Sequence, residues 1–176
     1  MKTMEKSCIY WSLLVYRDWG LFVAATKEGL CYVGAPNQSF EEMSLAVRRH
    51  IPNSHLIEAE ENLEPYKQEI SEYLDGNREN FTLPMDLHGT PFQLAVWNSL
   101  CKIPYGKTTS YSEIAIEINK VSAARAVGTA IGANPILIVV PCHRVVGKNG
   151  SLVGYRGGLE MKRSLLELEN KREYHH

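Results

Sequence analysis

The sequence lacks any apolar run long enough to span a membrane, and Met1-Lys2-Thr3-Met4-Glu5-Lys6 at its start carries no signal-peptide core. A cytoplasmic protein with no membrane partner is therefore expected. Cysteine is scarce: Cys8, Cys31, Cys101 and Cys142 are scattered, with no CxxC pair. That disfavours a disulfide framework and points to reduced thiols. No second pair of ligands lies at metal spacing, so neither a metal nor a cofactor is expected. Repeats and low-complexity tracts are absent. So is any excess of charge, for the net is −1, which on its face argues against a polyanionic partner.

The halves of the chain differ, however. Residues 1–90 carry 8 Lys/Arg against 14 Asp/Glu, a net of −6, while residues 91–176 carry 11 against 6, a net of +5. Such polarity suits a polyanion that faces only the second half. It is equally compatible with chance segregation on two solvated surfaces.

At 176 residues and 44% hydrophobic content the chain can bury one large or two small cores. Strand-like residues 9–16, 21–26 and 30–33 are separated by Asp18-Trp19-Gly20 and Lys27-Glu28-Gly29, which predicts a small antiparallel sheet. Ser39 caps a helix to about Arg49, and a second helix runs from Glu64-Pro65 to Gly76. Residues 80–89 read as linker. The chain thus divides into an α/β domain with its linker, residues 1–89, and a mostly helical domain, residues 90–176. Thr90-Pro91 opens a helix bearing Phe92, Ala95, Val96, Trp97 and Leu100. Two short helices follow, from Ser112 to about Ile118 and from Ala123, capped by Ser122, to about Ile131. Asn119-Lys120-Val121-Ser122 joins them with the length of a helix-turn-helix turn. A last amphipathic helix runs from Leu159 to about Glu169, and Tyr174-His175-His176 is set aside as a tail or tag remnant.

The densest chemistry lies in Ile138-Val139-Val140-Pro141-Cys142-His143-Arg144-Val145-Val146-Gly147. The β-branched run predicts a buried extended segment stopped by Pro141. A thiol then sits at the mouth of a core, with an imidazole and a guanidinium beside it as groups that lower a thiol pKa. A buried cysteine can equally be a small hydrophobe. On an extended segment Cys142 and His143 point to opposite faces, so His143 reaches the thiol only through a water. Ser122-Ala123-Ala124-Arg125-Ala126-Val127-Gly128 offers small residues, one projecting arginine and helix N-terminal amides suited to a nucleic-acid backbone. The same small residues would also serve close helix packing. Glu169, placed in a last helical turn that disfavours acidic residues, is either partnered or an exposed end.

Six motifs stand in order in the second half: Pro104-Tyr105-Gly106-Lys107, Ser110-Tyr111, Ala124-Arg125-Ala126-Val127-Gly128, Asn134-Pro135, Pro141-Cys142-His143-Arg144-Val145-Val146 and Gly154-Tyr155-Arg156-Gly157-Gly158-Leu159. Together they resemble the O6-alkylguanine-DNA alkyltransferases, suicide repair proteins. The first half resembles the family's ribonuclease-H-like domain in layout alone. The resemblance implies a two-domain α/β fold, its second domain carrying a winged-helix-like helix-turn-helix. It implies a monomer that binds double-stranded DNA through the minor groove and flips out an alkylated guanine, with O4-alkylthymine also accepted.

By the same resemblance, Cys142 takes the alkyl group irreversibly. His143 deprotonates it through a water, and Glu169 supports the imidazole. Tyr111 donates to guanine N3, Asn134 braces the turn before the active cysteine, and Arg125 fills the space the base leaves. Ser122, Ala123 and Ala124 allow close approach to DNA. The carbonyls of Cys142 and Val145 and the amide of Arg156 meet the base edge, and Tyr155 walls the alkyl pocket. The alternatives are a non-catalytic sensor of alkylated bases, against which Cys142 counts, and a helix-turn-helix transcription regulator, which would need a dimer surface.

Overall fold

The β-branched and aromatic residues near the start pair as expected. In the computed structural model, which describes residues 7–173, β1 (Ser7–Tyr16), β2 (Trp19–Thr26) and β3 (Gly29–Val33) form antiparallel neighbours. The start and tail readings made above for residues 1–6 and 174–176 lie outside the described residues. A fourth strand, β4 (Ser54–Glu58), pairs in parallel with β1 and gives the order β3-β2-β1-β4. It has no sequence signal, because of its five residues only Ser54 is buried and no apolar alternation marks it.

Helices cover both faces of this sheet, which is why β2 is buried along most of its length rather than alternately. On one face lies α1 (Phe40–His50), capped by Ser39, whose side chain accepts from the Glu42 amide. It packs Met43 and Val47 against Ile9, Phe22, Ala24 and Tyr32. On the other lies α2 (Glu60–Leu74), which buries Leu63, Ile70, Tyr73 and Leu74. This helix begins at Glu60, four residues before the expected start, and carries Pro65 inside it. The full burial of Leu63 anchors the turn that the proline ring would otherwise loosen.

The linker is tied down rather than loose. The buried Glu69 carboxylate accepts the Thr82 amide at 3.0 Å and the Thr82 hydroxyl at 2.6 Å. Backbone bonds then join Leu30 to Pro84 and Asp86. Gly89 leads into α3 (Pro91–Leu100), which opens with a full capping box between Thr90 and Gln93. A Cβ at Gly89 would lie 2.6 Å from the Trp97 ring. Trp97 is fully buried, and its Nε1 donates to the Ala130 carbonyl at 2.8 Å.

The helix-turn-helix consists of α4 (Tyr111–Glu117) and α5 (Ala124–Gly132). Ser110 caps α4 in a box with Glu113. Ser122 does not cap α5: the helix starts one residue late, with Ala123 in the cap position and no side-chain cap bond. Two short parallel strands, β5 (Thr109–Ser110) and β6 (Val145–Val146), bring the helix pair to the segment after Cys142. The chain ends in α6 (Leu159–Glu173). The outer edge of β3 is covered by the second half, for Val33 N–H donates to Pro135 at 3.0 Å and Val33 O accepts from Leu137 at 3.3 Å. One apolar core therefore runs from Leu21 and Val23 through Trp97 to Cys142 and Leu165. Among the described residues no helix is long and apolar enough to cross a membrane.

Candidate active site

The run Ile138-Val139-Val140 is not the extended strand that its composition predicts. It winds around Asn134, whose fully buried amide donates to Ile136 O at 3.3 Å and Val140 O at 3.1 Å and accepts from Ile136 N at 2.9 Å. That side chain supplies the partners a neighbouring strand would have supplied, so apolar residues can be buried here without a ladder. The tight path puts Ile138 at φ +72°. For a β-branched residue this is costly, about 1–3 kcal/mol, and it persists because the surrounding packing imposes it.

Beyond Pro141 the chain makes a single 3-10 turn, Cys142–Arg144, instead of continuing extended. The expected strand geometry, with Cys142 and His143 facing apart, is therefore absent. Both side chains are buried. The Cys142 Sγ lies 3.1 Å from Asn134 Nδ2, a donor aimed at an atom able to hold negative charge. Burial nonetheless pushes the thiol above its usual pKa, outweighing Asn134 and the charges of Arg156 and Lys162. The expected lowering by cations is present, from Arg156 and Lys162, but burial outweighs it and keeps the proton on the thiol.

His143 is held by the opposite arrangement. Its Nε2 lies 2.7 Å from Glu169 Oε2. Burial lowers the imidazole pKa, against the pull of Glu169, so the ring is neutral. For Glu169 burial would raise the pKa, but the hydrogen bonds and charges of His143 and Arg144 hold it at about 2. An ionised carboxylate only accepts, so the ring proton sits on Nε2 and the lone pair on Nδ1. His143 Nδ1 is buried and has no hydrogen-bond partner among the described residues.

Among the described residues Glu169 itself collects five donor atoms. Oε1 accepts from Gly106 N at 3.1 Å and Arg144 Nε at 2.9 Å. Oε2 accepts from His143 Nε2, from Arg144 Nη2 at 3.1 Å and from the Tyr73 hydroxyl. Because α6 continues to Glu173, this carboxylate lies inside the helix and not in its last turn as expected; the helix-dipole argument lapses, and burial explains why it is partnered.

Around this centre, Val145 is fully buried in β6, and the Tyr155 hydroxyl is buried without a partner among the described residues. The Arg156 guanidinium donates to Asn134 O at 3.0 Å and Val33 O at 2.9 Å, tying the site to β3. Lys162, fully buried, donates from Nζ to Val153 O at 2.8 Å and Gly154 O at 3.3 Å, which fastens the loop bearing Tyr155 and Arg156. Tyr111 opens α4, half-buried, and its hydroxyl makes a long 3.4 Å bond to Val153 O. Ser122, Ala123, Ala124 and Arg125 stand apart at the start of α5, with Ser122 and Arg125 exposed.

Sequence reasoning passed over Tyr73, Gly106 and Lys162 and took Arg144 only as a neighbour. A signal existed for Lys162: it shares a helical face with Leu165 and Glu169, at steps of three and seven residues, and that face is the core face. Among the described residues no group of three or more His, Cys, Asp or Glu is placed to hold a metal ion.

Comparison with known proteins matches both halves. The ribonuclease-like domain of 6-O-methylguanine DNA methyltransferase matches residues 9–87, and the DNA binding domain of the same family matches residues 91–171. The chain is 58% identical over 167 residues to the inducible methylated-DNA–protein-cysteine methyltransferase of Bacillus subtilis (strain 168), covering 95% of this chain and 93% of that protein. Its fold is similar to the crystal structure of Mycobacterium tuberculosis OGT in complex with DNA, with a TM-score of 0.78, 37% identity and 94% of each chain covered. The M. tuberculosis O6-methylguanine methyltransferase gives 0.78 and 39% identity, over 93% of this chain and 94% of that one.

Proposed function

The chain belongs to the 6-O-methylguanine DNA methyltransferase family, and from that membership we propose how its own residues carry out the reaction. The protein repairs DNA by moving an alkyl group from the lesion to a cysteine. Cys142 is the acceptor. The observation that carries this reading is the buried Sγ set 3.1 Å from Asn134 Nδ2, one residue before an imidazole oriented by a carboxylate.

His143 takes the thiol proton at Nδ1 through a bridging water, and Glu169 stabilises the resulting cation from the far side of the ring. Asn134 steadies the thiolate. The thiolate attacks the alkyl carbon, a sulfur–carbon bond forms as the carbon–O6 bond breaks, and the electron pair leaves with the guanine. Tyr111 exchanges its long bond to Val153 for one to guanine N3, and the proton released by the thiol ends on the purine. The site holds no second nucleophile for the thioether, so each molecule acts once.

The lesion is double-stranded DNA read from the minor groove, with the alkylated guanine, or an O4-alkylated thymine, flipped into the site. Arg125 fills the vacated space, and Ser122, Ala123 and Ala124 line the close approach. The carbonyls of Cys142 and Val145 and the amide of Arg156 face the base, and Tyr155 walls the pocket. The division at residues 89 and 90, a monomeric state and a cytoplasmic location complete the reading. The test is peptide mass after mixing with excess O6-methylguanine duplex. One methyl on the Cys142 peptide with no turnover is expected; methylation elsewhere, or none, refutes the assignment.

A further inference from the structure

Among the described residues, Tyr73 is the one donor to Glu169 that comes from the first half of the chain. We propose that Tyr73 is a positioning residue that weakens Glu169 as an acceptor for His143, and so holds the Cys142–His143 couple in its uncharged, unreactive form. The inference rests on the reading that Cys142 is the acceptor.

The carboxylate does not need Tyr73 in order to point correctly. Arg144 grips both its oxygens and Gly106 N holds Oε1. What the phenol adds is a third donor on Oε2, the oxygen that faces His143 Nε2. Every donor that shares a carboxylate's charge lowers its affinity for the others and for a proton. The phenol has nowhere else to turn. It is fully buried between the Phe81 ring at 5.5 Å and the Tyr105 ring at 6.1 Å, and burial beside Glu169 keeps its proton on. Its oxygen stands 3.3 Å from His143 Nε2.

The other groups facing His143 explain why this one bond matters. Arg144 from the same turn and Lys162 from α6 both disfavour an imidazolium. Tyr73 is a phenol whose proton burial keeps on, and Cys142 precedes the ring as a thiol. Glu169 is the only anion in contact with the ring among the described residues. The charge left on Oε2 therefore decides how readily the ring accepts the thiol proton. A protein that acts once gains from such restraint, because a standing thiolate would be consumed by any soft electrophile before a lesion arrived.

The probe is iodoacetamide, which needs no DNA: sulfur bonds to its methylene carbon, iodide leaves, and the thiol proton passes to His143. Carbamidomethylation of Cys142 is followed by peptide mass from pH 5 to 10 in the wild type and in Tyr73→Phe. Loss of the hydroxyl is expected to raise the His143 pKa by about one unit, the scale of one charge-assisted hydrogen bond. The neutral-pH rate then rises about tenfold, and the acid limb moves to higher pH because more of the couple starts as thiol with imidazolium. A purely structural tyrosine would instead leave the limb in place. Rates unchanged or lower at every pH overturn the proposal. If Tyr73→Phe fails to fold, 3-fluorotyrosine at position 73 keeps the ring and is a stronger donor; slower modification is expected, and an equal or faster rate overturns the proposal. Methyl transfer from duplex to the wild type reports separately on whether Cys142 is the acceptor.

Discussion

Replacing Glu169 with glutamine removes one negative charge from a carboxylate that collects five donors among the described residues and leaves the buried Arg144 side chain without its counter-ion. A buried charge orphaned in this way costs about 3–5 kcal/mol. The pH dependence is sharper than the size. In the folded state the carboxylate is depressed from 4.5 to about 2, which at about 1.4 kcal/mol per unit corresponds to roughly 3 kcal/mol. A depressed carboxylate contributes fully above its unfolded value and loses that contribution as pH falls through its folded one.

The stability gap between wild type and Glu169→Gln should therefore be flat above about pH 5. It should then close by about 1.4 kcal/mol per pH unit as pH falls from 4.5 towards 2. His143, buried neutral, begins to cost stability below its unfolded value of 6.5 in both proteins. Urea unfolding followed by tryptophan fluorescence at a series of pH values measures the gap. A gap that does not change between pH 5 and 3 would show that folding leaves the proton affinity of Glu169 untouched, and the account of the site would be wrong. Adding Arg144→Met should recover part of the neutral-pH loss by removing the orphan.

Three further outcomes are expected. Cys142→Ala should retain binding to O6-methylguanine duplex in a gel-shift assay yet take up no methyl; uptake on Cys101 instead would refute the acceptor assignment. Arg125→Ala, an exposed change at the start of α5, should slow transfer from duplex far more than reaction with free O6-benzylguanine, and equal slowing of both would remove the proposed role. Gly89→Ala drives a methyl to 2.6 Å from the Trp97 ring, so a loss of about 1–3 kcal/mol is expected from thermal unfolding, and an unchanged Tm would contradict it.

How far the fold can be read from sequence depends on whether the signal is local. The meander, the caps at Ser39 and Thr90 and the helix-turn-helix spacing are local patterns, and they could be read; the cap of α4 at Ser110 was not, for that helix was expected to begin at Ser112. The strand β4 and the start of α2 could not, because the parallel pairing to β1 and the anchoring of Leu63 come from distant residues. The segment 136–140 looked like a strand by composition. Its true path depends on one asparagine that replaces a whole ladder of partners. At the site, the cysteine, histidine and glutamate stood out through motifs, whereas Tyr73 lies 96 positions from the carboxylate it bonds, a separation no periodicity can bridge.

The covered edge of β3 bears on how the chain is made. Synthesis releases the sheet first, and residues 135–137, which satisfy the free side of Val33, leave the ribosome about a hundred residues after that strand. Residues 84–86 close the Leu30 end of that edge earlier, but until residue 135 arrives its Val33 end stands open to any other strand, including that of a neighbouring nascent chain. A pause or truncation before residue 135 would yield a species prone to self-association, so demand for chaperones should concentrate in that interval and end when the active-site segment docks.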